Sequence, residues 1–171
     1  MKKYLFFFMS IFLTFFSLGC NLGNTPTSKV EDLLMKYQKL DEDITNDIND
    51  VLEEENLTNE QKERYKKLLE EQYKNLSYKI KNEEIDGDNA VVTIELEVMD
   101  YNKAKEKTEE EYEEIEEYTV EEYNNKKLDN LEDIKEKVVY TIEITLNKDK
   151  DGNWKLNALT NVDKKKLQGM Y

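Results

Sequence analysis

Residues Leu76 to Tyr101 constrain the fold more than any other stretch, because they read as two runs of alternating apolar and polar residues joined by Ile85-Asp86-Gly87-Asp88-Asn89. In the second run Ala90, Val92, Ile94, Leu96 and Val98 share one face of a strand, and Thr93, Glu95 and Glu97 share the other. Leu76, Tyr78 and Ile80 repeat the pattern against Ser77, Lys79 and Lys81. Asp-Gly adopts the positive φ angles of tight hairpin turns, so the two runs predict one antiparallel hairpin with a wet face and a dry face. The dry face needs a cover of amphipathic helices.

Those helices are predicted on both sides. Val30, Leu33, Leu34, Tyr37, Leu40, Ile44, Ile48, Val51 and Leu52 recur at three- and four-residue steps, as in one helix of about seven turns. Ser28-x-x-Glu31 has the form of a capping box, and Thr25 before Pro26 offers an earlier start. Thr58-x-x-Gln61 opens a second, shorter helix with Tyr65, Leu68, Leu69 and Tyr73 on its buried side, and the short loop before it sets the two back to back. After the hairpin the chain turns acidic: Ala104, Thr108, Tyr112, Ile115 and Tyr118 keep a thin helical stripe. Thr119-x-x-Glu122 predicts a break and a further piece with Tyr123, Leu128 and Leu131. Val138, Tyr140, Ile142, Ile144 and Leu146 form a third strand, and Asp149 to Asn153 turns it into a last one bearing Trp154, Leu156 and Ala158. Leu167, Met170 and Tyr171 of the tail are placed to dock. The fold class is therefore α+β: an N-terminal helical pair on a curved antiparallel sheet of about four strands, with a helical segment between the two hairpins.

The N-terminus reads differently. Met1-Lys2-Lys3 and the apolar run Leu5 to Phe16 suit a secretory leader, since about a dozen apolar residues fall short of the roughly 20 that span a bilayer. Ser17-Leu18-Gly19-Cys20 resembles the lipobox of bacterial lipoproteins, with Ser17 and Leu18 in the reverse of the usual order. This resemblance implies a signal peptide over 1–19, acylation (palmitate-type chains) of Cys20, a lipidated tether over 20–27 and a single domain over 28–171. It also implies a protein held at the outer face of the cell membrane by its lipid. Cys20 is the single cysteine, which removes any internal disulfide.

Composition excludes several chemistries. The formal net charge is -14 with no histidine, so phosphate backbones repel the chain, and nucleic acid is not an expected partner. Without histidine or a free thiol, Ser-His-Asp, Cys-His and transition-metal chemistry lose their residues. The acidic run Glu106 to Glu122 lacks the spacing of a calcium loop and reads as a solvated face, so no metal and no cofactor are expected.

Thr25-Pro26, the Tyr78-Lys79-Ile80 to Val92 hairpin, Asp100-Tyr101 and Asp151-Gly152-Asn153-Trp154-Lys155 together resemble the lipoproteins of low-GC Gram-positive bacteria that carry a nuclear-transport-factor-2-like (cystatin-like) domain of unknown function. The resemblance implies a sheet curled into a cone whose mouth is the place for a small ligand. Tyr78, Tyr140 and Trp154 are the candidate ligand-binding residues there. Asp100, in phase with the dry face, is the one catalytic candidate, as a general base raised in pKa by desolvation; its alternative role is to cap the following helix. The expectation is a non-enzymatic surface module for a small ligand, peptide or envelope protein. The alternatives are a small hydrolase or isomerase using Asp100 and an interaction module whose acidic helices meet a basic surface.

Overall fold

In the computed structural model, which describes residues 23–171, the expected alternation is realised. Ala90, Val92, Ile94, Leu96 and Val98 are buried, and the residues between them are half-exposed. The elements are α1 (Pro26–Lys39), α2 (Glu42–Glu54), α3 (Asn59–Lys74), β1 (Ser77–Asp86), β2 (Asn89–Met99), α4 (Tyr101–Tyr112), α5 (Val120–Asp133), β3 (Lys137–Lys148), β4 (Trp154–Leu156) and α6 (Asn161–Gln168). The strands form one open antiparallel sheet in the order β1-β2-β3-β4. Leader and lipobox, Cys20 included, lie outside the described residues.

Between β1 and β2 a two-residue turn puts Gly87 at φ 60° and pairs Asp86 with Asn89. That is the positive first angle a type II′ turn requires. A bulge at Lys81 shifts the register between Ile80 and Asn82. Before it, Tyr78 and Ile80 pair with Leu96 and Ile94 and lean on the core; beyond it, Glu83 and Ile85 are exposed. Glu83 instead reaches the first turn of α1, accepting from the Thr27 amide at 2.9 Å and its hydroxyl at 2.6 Å. A carboxylate at a helix N-terminus opposes the macrodipole and satisfies an orphan donor.

The long first helix is a correction. Two helices stand there, because Leu40 adopts φ 53°, ψ 51° and the Asp41 amide returns to the Lys36 carbonyl at 3.1 Å, as in a Schellman turn. The bend keeps Val30, Leu34 and Tyr37 of α1 and Ile44, Ile48 and Leu52 of α2 on one core. The helix also begins earlier than Ser28: Thr25 is the N-cap, Pro26 follows, and Thr25 and Ser28 form the capping box. The predicted boxes Thr58/Gln61 and Thr119/Glu122 are both formed.

The last strand is shorter than expected, ending at Leu156 and leaving Ala158 exposed. The tail forms α6, capped by a Thr160/Asp163 box and ended by Gly169 in the left-handed conformation. Leu167 is buried and Met170 half-buried, while Tyr171 is mostly exposed.

The connection between β2 and β3 positions the site described next. These strands are neighbours, with Met99 opposite Lys137, yet α4 and α5 are inserted between them. The pair is therefore an enlarged hairpin connection at the strand ends, held sideways against α3. Buried Gln61 donates from Nε2 to the Glu121 carbonyl at 3.0 Å and to Asn125 Oδ1 at 2.9 Å. Asn124 Nδ2 donates to the Asn56 carbonyl, and Arg64 bridges Asp129 and Glu132 at 2.7 and 2.9 Å. Between α4 and α5, Asn130 Nδ2 donates to Thr108 Oγ1 at 2.9 Å and Glu111 Oε2 at 2.8 Å.

Candidate functional site

The three aromatics expected around a common ligand do not meet at one cavity. Tyr78 and Tyr140 flank Leu96 from β1 and β3. Tyr140 is nearly buried, and its hydroxyl donates to the Tyr171 carbonyl at 2.6 Å while the two rings meet edge-on at 6.0 Å. Burial raises its pKa, with Asp100 adding to the rise and the Tyr171 bond opposing it. Trp154 is on β4, opposite Lys148, whose ammonium lies 4.7 Å from its ring centroid. Asn24 Oδ1 accepts from the Trp154 amide at 3.0 Å, so this aromatic anchors the start of the described chain. The covered face of the sheet is filled by Val92, Ile94, Leu96, Ile142 and Ile144, each at 3% exposure or less.

Asp100 is half-buried and caps α4, accepting from the Lys103 amide at 3.1 Å while its own amide donates to the Glu136 carbonyl at 2.9 Å. Its in-phase position follows from the strand. At the β2 to α4 junction, however, the carboxylate serves the helix end, where an unpaired amide needs an acceptor.

Side chains that do form a concave surface come from the α4–α5 turn. Thr119 is the N-cap of α5: its hydroxyl accepts from the Glu122 amide at 3.1 Å, and the Glu122 carboxylate accepts from the Thr119 amide and hydroxyl, both at 2.8 Å. Those bonds hold the Glu122 carboxyl below the usual carboxylate range. The cap brings Tyr118, just before it, over Tyr123 in the first turn, the pairing of a hydrophobic staple. The two rings are stacked at 6.0 Å and 27°. Tyr112, at the end of α4, meets both edge-on, at 4.7 Å from Tyr118 and 5.2 Å from Tyr123. Edge-to-face packing puts the positive ring edge of one tyrosine on the negative face of another.

This triad lines a groove of about 660 Å³ together with Glu106, Glu109, Glu110 and Glu113 of α4 and Val120 of α5. The four glutamates fall at i, i+3, i+4 and i+7, one face of the helix. Glu109 is offset by Lys105 at 3.5 Å, and Glu106 accepts from Asn102 at 2.8 Å. Among the described residues Glu110 and Glu113 have no ion pair. Tyr118 is half-exposed and Val120 more so. Burial raises the Tyr123 pKa, followed by the charge of Glu109 and by Tyr118. Ring faces and carboxylates thus present one sign of charge to whatever enters.

Sequence reasoning assigns Tyr112, Tyr118 and Tyr123 to helical stripes and misses this gathering. The available signal was three tyrosines spaced around a capping box and interleaved with glutamates. Among the described residues no group of three or more Asp, Glu, His or Cys is placed to hold a metal ion, and no helix is long and apolar enough to cross a membrane.

No protein-family model matches the chain, and no curated protein does. Among solved structures, the crystal structure of ycdA, a candidate lipoprotein from Bacillus subtilis subsp. subtilis str. 168, is similar at a TM-score of 0.42 and 16% identity, over 86% of this chain and 47% of that one. The chain therefore spans about half the length of that protein, and a likeness this loose carries no argument about fold or function.

Proposed function

We propose that the protein is a non-enzymatic lipoprotein, acylated at Cys20 and displayed on the outer face of the cell membrane, whose α+β domain binds a partner through the α4–α5 groove. In this reading the cystatin-like scaffold serves as a rigid stand. The observation that carries it is the contrast in packing. The covered sheet face is filled by aliphatic side chains, whereas Tyr118 stays 50% exposed beside a concavity at the strand ends. An aromatic held by a staple yet open to solvent is a form that binding surfaces use. The non-enzymatic part is supported by Asp100, whose carboxylate is engaged as the α4 cap. The lipid anchor is supported by the order of positive start, apolar run and Gly19-Cys20. An acidic domain is repelled by anionic head groups, so it stays at the membrane through its acyl chains.

The test is site-specific photo-crosslinking in cells, with a photoreactive residue replacing Tyr118 in one strain and Glu143, on the uncovered sheet face, in another. A discrete adduct from position 118 that is absent from position 143, and that disappears when Cys20→Ser releases the protein or leaves its leader uncut, is the expected result. The same adducts from both positions, or none from 118, would sink the proposal.

A further inference from the structure

We infer that the groove takes an extended, lysine- or arginine-bearing segment of a partner protein, its cationic side chains lying over the Tyr118 and Tyr123 rings with the α4 glutamates around them. The inference rests on the groove being a binding surface and adds the chemistry of what enters. Three independent features select a cation. Tyrosine faces carry the negative end of a quadrupole and attract ammonium and guanidinium groups. The three rings gather within 6.0 Å of one another. Glu106/Glu110 and Glu109/Glu113 are like charges at i,i+4, a pairing that disfavours a helix on its own and that a bound cation would relieve.

The shape favours an extended segment over a compact ion. The glutamates run along α4 for about two turns, roughly 10 Å, and side chains on one side of an extended chain repeat every 6.5 to 7 Å or so. Two basic residues at i and i+2 therefore match the separation between successive turns of α4, about 5.4 Å apart. A groove of about 660 Å³ is also far larger than one ammonium group. Acidic partners and phosphate esters are refused by the same field that draws the cation.

The experiment uses the full chain in a neutral detergent and calorimetric titration with acetylated, amidated tetralysine, with spermine and tetraglutamate as comparison probes. Tetralysine should bind more tightly than spermine, and tetraglutamate should not bind. Tyr118→Leu and Tyr123→Leu should each weaken tetralysine about three- to five-fold at any salt concentration, the range of an exposed cation–π contact. Tyr118→Phe, which keeps the ring, should bind as the parent does. Glu110→Gln with Glu113→Gln should weaken binding at 50 mM salt and lose most of its effect at 500 mM. Should either leucine variant fail to fold by circular dichroism, the phenylalanine variant and the salt dependence decide alone. Indifference to the tyrosines, or spermine binding as tightly as tetralysine, overturns the inference. A crosslinked adduct at position 118 that tetralysine does not displace would overturn this inference while leaving the binding surface standing; absence of any adduct would remove both.

Discussion

Gly169→Ala is the perturbation whose outcome the structure sets most sharply. Gly169 ends α6 at φ 71°, ψ 23°, and its carbonyl accepts from the Asn102 amide, in the first turn of α4, at 2.7 Å. A Cβ there would run into the Met99 carbonyl oxygen and lie 2.5 Å from Gln72 Nε2. Gln72 is itself committed, donating to the Met99 carbonyl and accepting from the Met99 amide, both at 3.0 Å. The left-handed backbone costs alanine about 1 kcal/mol, overpacking against an immobile carbonyl about 1–3 kcal/mol, and displaced buried hydrogen bonds about 1–3 kcal/mol more. A loss of about 3–6 kcal/mol is large beside a total stability of roughly 5–15 kcal/mol. With a urea slope near 2 kcal/mol/M, the midpoint should fall by about 1.5–3 M. Gly152→Ala is the control, since Gly152 has φ 79° with nothing within 4 Å of the added carbon, and it should lose only about 0.5 M. Equal shifts for the two variants would refute the claim that close packing, beyond backbone angle, demands glycine at 169.

Three further outcomes follow from the same geometry. Tyr73 and Tyr101 are pushed up to about 12, chiefly by burial. The native state thus holds their protons where the unfolded chain releases them, and stability should be flat below pH 10 and fall between about 10 and 12, by roughly 1.4 kcal/mol per pH unit for each tyrosine; urea titrations across that range, read beside tyrosinate absorbance, check this. Asn130→Leu should cost about 1–3 kcal/mol by removing the bonds to Thr108 and Glu111, and the Glu111 carboxyl, held low first by Asn130, should return toward the usual carboxylate range by carboxyl-carbon NMR. Asp100→Asn should keep the α4 cap and leave thermal stability nearly unchanged, while Asp100→Ala should lose about 1 kcal/mol; equal losses would remove the capping role.

How much of this was legible in the sequence depends on whether a feature is periodic or singular. The buried faces of β2 and β3, and the starts of α3 and α5, follow from alternation and from boxes such as Thr58/Gln61, because these are local rules that the tertiary structure has no reason to override. The break at Leu40 was not legible: the apolar spacing runs through it unbroken, and a leucine in the left-handed conformation, at about 1–2 kcal/mol, is stabilised by core contacts far away in sequence. Helix α6 carried a readable Thr160-x-x-Asp163 box, obscured by its shortness and scant apolar content. Asp100 was ambiguous by its nature, since strand phase and helix capping make opposite claims on the same carboxylate. The groove was missed because Tyr112, Tyr118 and Tyr123 fit helical stripes equally well until the turn between α4 and α5 decides which way they face. That turn is set by the α3 contacts of Gln61 and Arg64, which one-dimensional periodicity does not carry.

Amide chemical-shift mapping of the isotopically labelled full chain, titrated with tetralysine, probes the binding surface residue by residue. The account predicts perturbations concentrated between Glu106 and Tyr123, with the largest at Tyr118 and Tyr123. Shifts centred on the uncovered sheet face, at Thr93, Glu95, Thr141 and Glu143, would contradict it.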